Sequence, residues 1–435
     1  MSATPAREAL DWVLSISAAP TDEELTSRFS QGFLAAVGLG QLAPLLPTLV
    51  DGVRGAQASL EVSEVDAHRL VAVIGDTEIL VSVDTEPPHA INGLLFRPVQ
   101  VRVADERLTA PDVMVSGSGA LAEFALATWQ REQLVGLSLH VDDRGTASSA
   151  TVGWADLDGH RTLTAGDLFP AYSITKLLTT VAVLQLVAAG EVDLEGPVAP
   201  MLTSLSLPGD ITVRHLLTHH GAVSSAFSHW ADEVHDLIDV LCQQVAVDGP
   251  PGRGYVYSNG GFGVLGQLIA DRTGRPYVDV IEQGILRPLG MTSSTFPTRV
   301  PPGGVVLHEV GADGTIEAPA QQICTIPSAG GLWSTAADLA TFGRGWSTLL
   351  PDDLAAAAVA PQATRTGTAM TGLGWALGSW NERRVAGHTG GGIGACSSLL
   401  VMPDDGLTAV TLVNRRHPVE QVSFRALEPA LAARG

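Results

Sequence analysis

The sequence predicts an α+β protein in two parts, a small domain over residues 1–112 and a larger one over residues 113–435. Three observations carry this expectation. Helical periodicity gives way to strand-like runs before residue 110. A Pro/Gly/Ser-containing segment, Ala110–Ala120, then interrupts the pattern. Beyond it, strand-like runs at both ends enclose a long helical stretch. A chain of 435 residues also exceeds what one ordinary hydrophobic core supports.

In the first part, helices are expected over Ala6–Ile16, Glu23–Phe29 and Gly32–Val50, the last broken at Gly38 and Gly40. Apolar runs at Ala56–Val62, Arg69–Ile74, Glu78–Val83 and Ile91–Val103 read as strands, with Gly75-Asp76 turning a hairpin. In the second part, a helix near Leu121–Gln130 precedes strands at Leu134–Val141 and Ala150–Ala155, followed by a turn at Asp156–Gly159. A long apolar helix begins near Ser173 and ends at Gly190. Further helices are expected near Ala231–Val247, Gly260–Thr273, Tyr277–Leu286 and Ala336–Trp346. The chain closes with strands Ser397–Met402 and Thr408–Val413, turned by Pro403-Asp404-Asp405-Gly406, and a helix Val419–Ala433. Strands at the two ends of this part are expected to pair with each other, with the helices as an insert beside the sheet.

Composition narrows the function classes. Apolar residues make up 45% and charged residues 16%, as in compact globular proteins. The net charge of −21, with no cluster of basic residues, argues against a nucleic-acid partner. Cys242, Cys324 and Cys396 are odd in number and far apart, so a reducing compartment is expected and a disulfide framework is not. The first twenty residues read as a short amphipathic helix and not as a signal peptide. No segment is apolar enough to span a membrane, so a cytoplasmic protein without a membrane partner is expected.

The chain has 24 arginines and one lysine, Lys176. Arginine keeps its proton at any biological pH, whereas a buried lysine can become a neutral base. Lys176 stands in Ser173-Ile174-Thr175-Lys176, after Phe169-Pro170 and before a strongly helical stretch. Ser173 therefore falls at a helix N-terminus, where amide N–H groups favour developing negative charge. Three residues on, Lys176 projects from the same face. A serine hydroxyl needs such a base to become a nucleophile.

Two further clusters join it. PGRGYVYSNGGFGVLGQLIADRTG places Tyr257, Ser258 and Asn259 between a Pro-Gly turn and a helix. GHTGGGIGACSSLLVMPDDG places His388, Thr389 and Gly390 ahead of a strand, where a glycine-rich edge lets substrate approach the backbone. The order Ser-x-x-Lys, Tyr-x-Asn, His-Thr-Gly resembles class C β-lactamases and their esterase, D-peptidase and acyltransferase relatives. LTAGDLFPAYSITKLLTTVAVLQLVAAGEVDLEGPV, ITVRHLLTHH, ILRPLGMTSSTF and PSAGGLWSTAADLATFG extend the similarity from about Ala120 to the end of the chain.

The resemblance implies a β-lactamase/transpeptidase-like antiparallel sheet flanked by helices. It implies Ser173 as nucleophile, with Lys176 and Tyr257 as the base pair that activates it and later protonates the leaving group. Asn259 would position Lys176 and the substrate. His388, Thr389 and Gly390 would line the substrate edge, and the N–H groups of Ser173 and of Gly391 or Gly392 would hold the oxyanion. No metal or organic cofactor is implied.

The expected activity is hydrolysis of a small-molecule ester or amide through a Ser173 acyl-enzyme. The alternative is a transacylase passing the acyl group to an amine or alcohol in natural-product biosynthesis. β-Lactamase or D-peptidase activity ranks below these, and a non-catalytic binding protein last. Two departures guide this ranking. His388 stands where β-lactamases usually carry lysine, removing a fixed charge for a substrate carboxylate. His220-Gly221-Ala222 stands where relatives have a Thr-Ser-Gly run.

Other features are read as structural. His219, His220, His229 and His235, with Asp232, Glu233 and Asp236, match no metal-ligand spacing, and a solvated helix face accounts for the acids. Trp333, Trp375 and Trp380 are expected in the core or a pocket wall. Gly391-Gly392-x-Gly394 lacks the lysine and helix of a phosphate loop. The N-terminal part, ending near GLLFRPV, resembles the small steroid-isomerase-like domain of some actinobacterial β-lactamase-like proteins. Asp66, His68, Asp84 and His89 within it form no evident acid–base pair, and packing or homodimerisation is its expected role.

Overall fold

The computed structural model describes residues 4–432, apart from 38, 56–59, 75–76, 99–102, 104, 110–113, 225–229, 235–240, 242–244, 248, 312 and 367–368. The chain divides into two compact units, residues 1–102 with 365–369, and residues 103–364 with 370–435.

In the first unit, helices Pro5–Ser15, Asp22–Arg28, Gln31–Val37 and Leu39–Arg54 precede a four-stranded antiparallel sheet in chain order. Thr21 and Glu24 close a capping box that starts the second helix. The Arg69–Ile74 and Thr77–Val83 strands alternate inward and outward, and Leu70, Ala72, Ile74, Ile79, Val81 and Val83 meet Leu10, Val13, Leu46 and Val50 in one core. Helix Leu39–Arg54 runs through Gly40, so the break expected there does not occur. The expected break at Gly38 and turn at Gly75-Asp76 lie outside the described residues. The first described strand is Glu61–Asp66, whose Glu61 and Val62 pair with Val73 and Ala72; residues 56–59 of the expected run lie outside the described residues.

Among the described residues, a ten-stranded antiparallel sheet is built mainly from the second unit. From one edge its strands are Ala363–Thr366, Ala369–Thr371, Ala376–Trp380, Arg383–Gly392, Ala395–Met402, Leu407–Val413, Gly136–Asp143 and Thr146–Asp156. Val115–Ser116 and Arg161–Thr162 both pair with the last of these. Leu407–Val413 pairs with Gly136–Asp143, so strands from the two ends of the unit meet as expected. Both strands are buried almost throughout, which explains their continuous apolar runs.

One sheet face is covered by helices Gly119–Glu132 and Glu420–Ala432, with Trp129, Val422 and Leu427 in that core. The other carries the helical insert, with Thr175–Ala188 at its centre. Every residue from Thr175 to Leu184 is buried, so this helix is enclosed all round and not amphipathic.

Two expectations are amended. His388-Thr389-Gly390 precedes strand Ala395–Met402 as expected, but it also lies in a strand that the sequence did not suggest, Arg383–Gly392, because Gly387–Gly392 pairs in register with Leu400–Ala395. The helix expected at Tyr277–Leu286 is α-helical only to Ile281 and continues as a π-helical turn over Glu282–Leu286. Within Ala231–Val247, Trp230–Ala231 forms a short strand paired with Ile323–Cys324, and most of the rest lies outside the described residues. Trp333 and Trp375 are core residues, and Trp380 packs against Phe424. Among the described residues, no helix is long and apolar enough to cross a membrane.

Candidate active site

Phe169–Pro170 pairs with Trp333–Ser334, and the Ala171 N–H donates to the Leu332 carbonyl, which fixes where the chain enters the turn that carries Ser173. Tyr172 then adopts φ +47, a left-handed conformation that a bulky residue rarely takes. Three contacts hold it there. Its hydroxyl donates to the Ile393 carbonyl at 2.5 Å, its ring meets Trp230 edge-on, and the Ser397 hydroxyl donates to the neighbouring Ala171 carbonyl at 2.7 Å. Backbone strain of this kind, held by surrounding contacts, is typical of functional turns.

Tyr172–Ile174 forms one 3-10 turn and helix Thr175–Ala188 continues it. Ser173 Oγ lies 3.0 Å from Lys176 Nζ, and the Tyr257 hydroxyl donates to it at 2.6 Å. Lys176 is wholly buried. Its ammonium nitrogen donates to the Ala329 carbonyl at 2.7 Å and sits 5.0 Å and 5.6 Å from the ring centres of Tyr257 and Phe262. Burial pulls its pKa down to about 7, because the charged form has lost its water. The Cys324 thiol, also buried, is pushed up in pKa by the same loss and stays neutral. A buried lysine whose pKa is drawn down towards neutrality can act as a base on a serine hydroxyl that it touches.

The edge expected to line the substrate belongs to strand Arg383–Gly392. On one side it pairs with Ala395–Met402 along its length. On the other, pairing with Ala376–Trp380 stops at Gly387, and beyond it Thr389 and Gly391 are exposed while Gly390 is buried. The glycines are required by close approach. A Cβ on Gly390 would stand 2.4 Å from the Ala171 carbonyl oxygen and 2.9 Å from Tyr172 Cβ. One on Gly392 would stand 2.4 Å from the Trp230 ring. The following turn is pinned by the Tyr172 hydroxyl and by Glu309, which accepts the Gly394 N–H at 2.7 Å. His388 lies with its ring 6.1 Å from that of Tyr257, and its Nδ1 is 2.6 Å from the Thr389 carbonyl oxygen, so that nitrogen carries a proton.

Ser173, Lys176 and Tyr257 are therefore in direct contact, with His388 beside Tyr257 and Gly390 and Gly392 against the nucleophile turn. Asn259 stands at the first position of helix Asn259–Thr273, capped by Ser258, whose hydroxyl accepts the Gly261 N–H. Lys176 takes the Ala329 carbonyl, and no hydrogen bond joins Asn259 to it. Sequence reasoning missed Ala329, Tyr172, Trp230 and a partner of Tyr257, His219. The run PSAGG was visible as a framework match, but nothing in it marks Ala329 as the carbonyl that faces the lysine.

Of the other candidates, His219 and His220 are buried, and His229, His235 and Asp236 lie outside the described residues. In the first unit, the rings of His68 and His89 stand 5.5 Å apart. Asp66 accepts the His68 N–H, and Asp84 accepts from Asn92.

Comparison with known proteins identifies the family. The β-lactamase family model matches residues 121–434. The chain belongs to the β-lactamase family. It is 28% identical over 288 residues to penicillin-binding protein 4 of Amycolatopsis lactamdurans, covering 58% of this chain and 73% of that one. It is 29% identical over 172 residues to the esterase EstB of Burkholderia gladioli, covering 34% and 43%. D-amino acid amidase from Ochrobactrum anthropi SV3, in complex with L-phenylalanine amide, superposes with TM-score 0.66 at 22% identity, over 73% of this chain and 99% of that one. This β-lactamase-fold family of serine hydrolases thus includes penicillin-binding proteins, esterases and amidases.

Proposed function

We propose that the protein is a serine hydrolase that cleaves a small-molecule ester or amide through an acyl-enzyme on Ser173. The observation that carries this reading is the contact of Ser173 Oγ with both the buried Lys176 amine and the Tyr257 hydroxyl. Neutral Lys176 takes the serine proton as Oγ bonds to the carbonyl carbon of the substrate. The oxyanion so formed lies against the N–H groups at the start of the nucleophile turn and at Gly391 or Gly392. The proton then passes through the Tyr257 hydroxyl to the leaving alcohol or amine as its bond to carbon breaks. Water repeats the sequence and releases the acid.

His388, in place of a fixed positive charge, supports a neutral substrate over one carrying a carboxylate beside the reacting bond. Asn259 is assigned to the substrate side, since Lys176 already has the Ala329 carbonyl. Cys324 and Cys396 are free thiols, in keeping with a cytoplasmic place of action.

The test is intact-protein mass spectrometry of wild type, Ser173→Ala and Lys176→Arg, each mixed with p-nitrophenyl esters and a cephalosporin, with and without added amines. A wild-type adduct absent from both variants and cleared by water supports the hydrolase. An adduct that persists until an amine arrives makes the protein a transacylase. An adduct that also forms on Ser173→Ala removes Ser173 from the reaction.

A further inference from the structure

The geometry points to His219 as the residue that positions Tyr257 over Ser173, an inference that rests on the role proposed for Tyr257. Tyr255–Ser258 belongs to no helix or strand, and the Val256 side chain is about half exposed. One buried residue brackets Tyr257 from both sides. The His219 carbonyl accepts the Val256 N–H at 2.8 Å, and His219 Nδ1 accepts the Ser258 N–H at 3.1 Å. Accepting at Nδ1 places the proton of a neutral ring on Nε2. The same ring lies 4.6 Å from that of Tyr257 at 34°, and 5.2 Å from that of Phe262, which also borders the Lys176 amine.

His219 holds these contacts at φ +60, at the end of the short helix Val213–Leu217, where the following His220 N–H returns to the His215 carbonyl. A left-handed residue here turns the chain so that its carbonyl and its side chain face the same loop. The Ser258 side chain, bonded to the Gly261 N–H, continues the hold into the next helix. His219 touches no reacting atom. It is a positioning residue, acting through the phenol it holds.

The test compares the wild type with His219→Gly and His219→Asn. Glycine accepts the left-handed backbone without penalty and keeps the carbonyl bond to Val256 while removing the side chain. Asparagine tolerates the same backbone and returns an acceptor for the Ser258 N–H. Two readouts are taken: the Ser173 acylation rate with p-nitrophenyl acetate, and amide hydrogen exchange at Val256 and Ser258. A misplacement of about 1 Å costs roughly 100-fold in rate. The glycine variant is therefore expected to acylate about 10- to 100-fold more slowly, with KM nearly unchanged and the Ser258 amide exchanging faster. The asparagine variant should recover most of both losses. Wild-type acylation and exchange in the glycine variant would overturn the assignment, as would equal loss in both variants with equally lowered melting temperatures. If Tyr257→Phe acylates like the wild type, the proposed role of Tyr257 fails instead. If the wild type takes up no acyl group at all, the exchange readout still decides whether His219 holds the loop.

Discussion

Replacing Lys176 with methionine, a side chain of similar length, should make the protein more stable and inactive. The unfolded chain keeps this lysine protonated up to its ordinary 10.5, whereas the folded chain does so only up to about 7. Below pH 7 both states carry the proton, and the folded protein bears the full cost of a buried ammonium. At 1.36 kcal/mol per pH unit, the interval amounts to about 5 kcal/mol. Between pH 7 and 10.5 the unfolded state binds the extra proton, so raising the pH stabilises the wild type until the cost is gone. Methionine removes the cost at every pH but leaves the Ala329 carbonyl without its donor, which returns about 1–3 kcal/mol. The variant should therefore be about 2–4 kcal/mol more stable at pH 6, and its advantage should vanish towards pH 10. Urea unfolding at pH 6, 8 and 10 measures this directly, while the wild-type acylation rate should rise with pH through about 7. A methionine variant no more stable than wild type at pH 6, or an advantage constant across pH, would refute a neutralised lysine.

Three further outcomes follow from the same geometry. Tyr257→Phe removes the proton carrier 2.6 Å from Ser173 and should slow single-turnover acylation by about 10²–10⁴-fold, with the far-ultraviolet circular dichroism unchanged. Gly392→Ala drives a methyl group to 2.4 Å from the Trp230 ring, so tryptophan fluorescence should shift and acylation should slow. Ala222 adopts φ +50 where relatives carry a glycine, and Ala222→Gly should raise stability by about 1 kcal/mol, read as a higher urea midpoint.

Much of the site was legible because its chemistry is written locally. Ser173 and Lys176 are one helical turn apart, and the burial that turns the lysine into a base is announced by the apolar residues on every side of it. Tyr257 and His388 were legible as motifs, but what brings them to Ser173 is long-range pairing that no window of sequence contains. The strands Ala363–Thr366, Ala369–Thr371 and Ala376–Trp380 passed unseen, being short strands towards one end of the sheet with half-exposed, irregular patterns. Strand Arg383–Gly392 was missed because its second half, from Gly387 on, is mostly glycine, poor in strand propensity. Its glycines answer to Ala171, Tyr172 and Trp230 pressing on the backbone. The left-handed turns at Tyr172 and His219 were hidden for a similar reason: tertiary contacts impose them on residues that would not choose them.

The solitary lysine has a consequence outside the catalytic step. Protein surfaces normally carry many lysine amines, and these are what activated acyl groups attack when they stray. Here every other basic side chain of this kind is a guanidinium, which at biological pH is not a nucleophile, and the one lysine amine is sealed beneath Tyr257 and Phe262. The protein thus offers a reactive ester no exposed lysine to modify. The commonest site of stray acylation on a protein surface is therefore missing from this chain. In the laboratory, an acyl mass on this chain can be assigned without a background of surface lysine adducts.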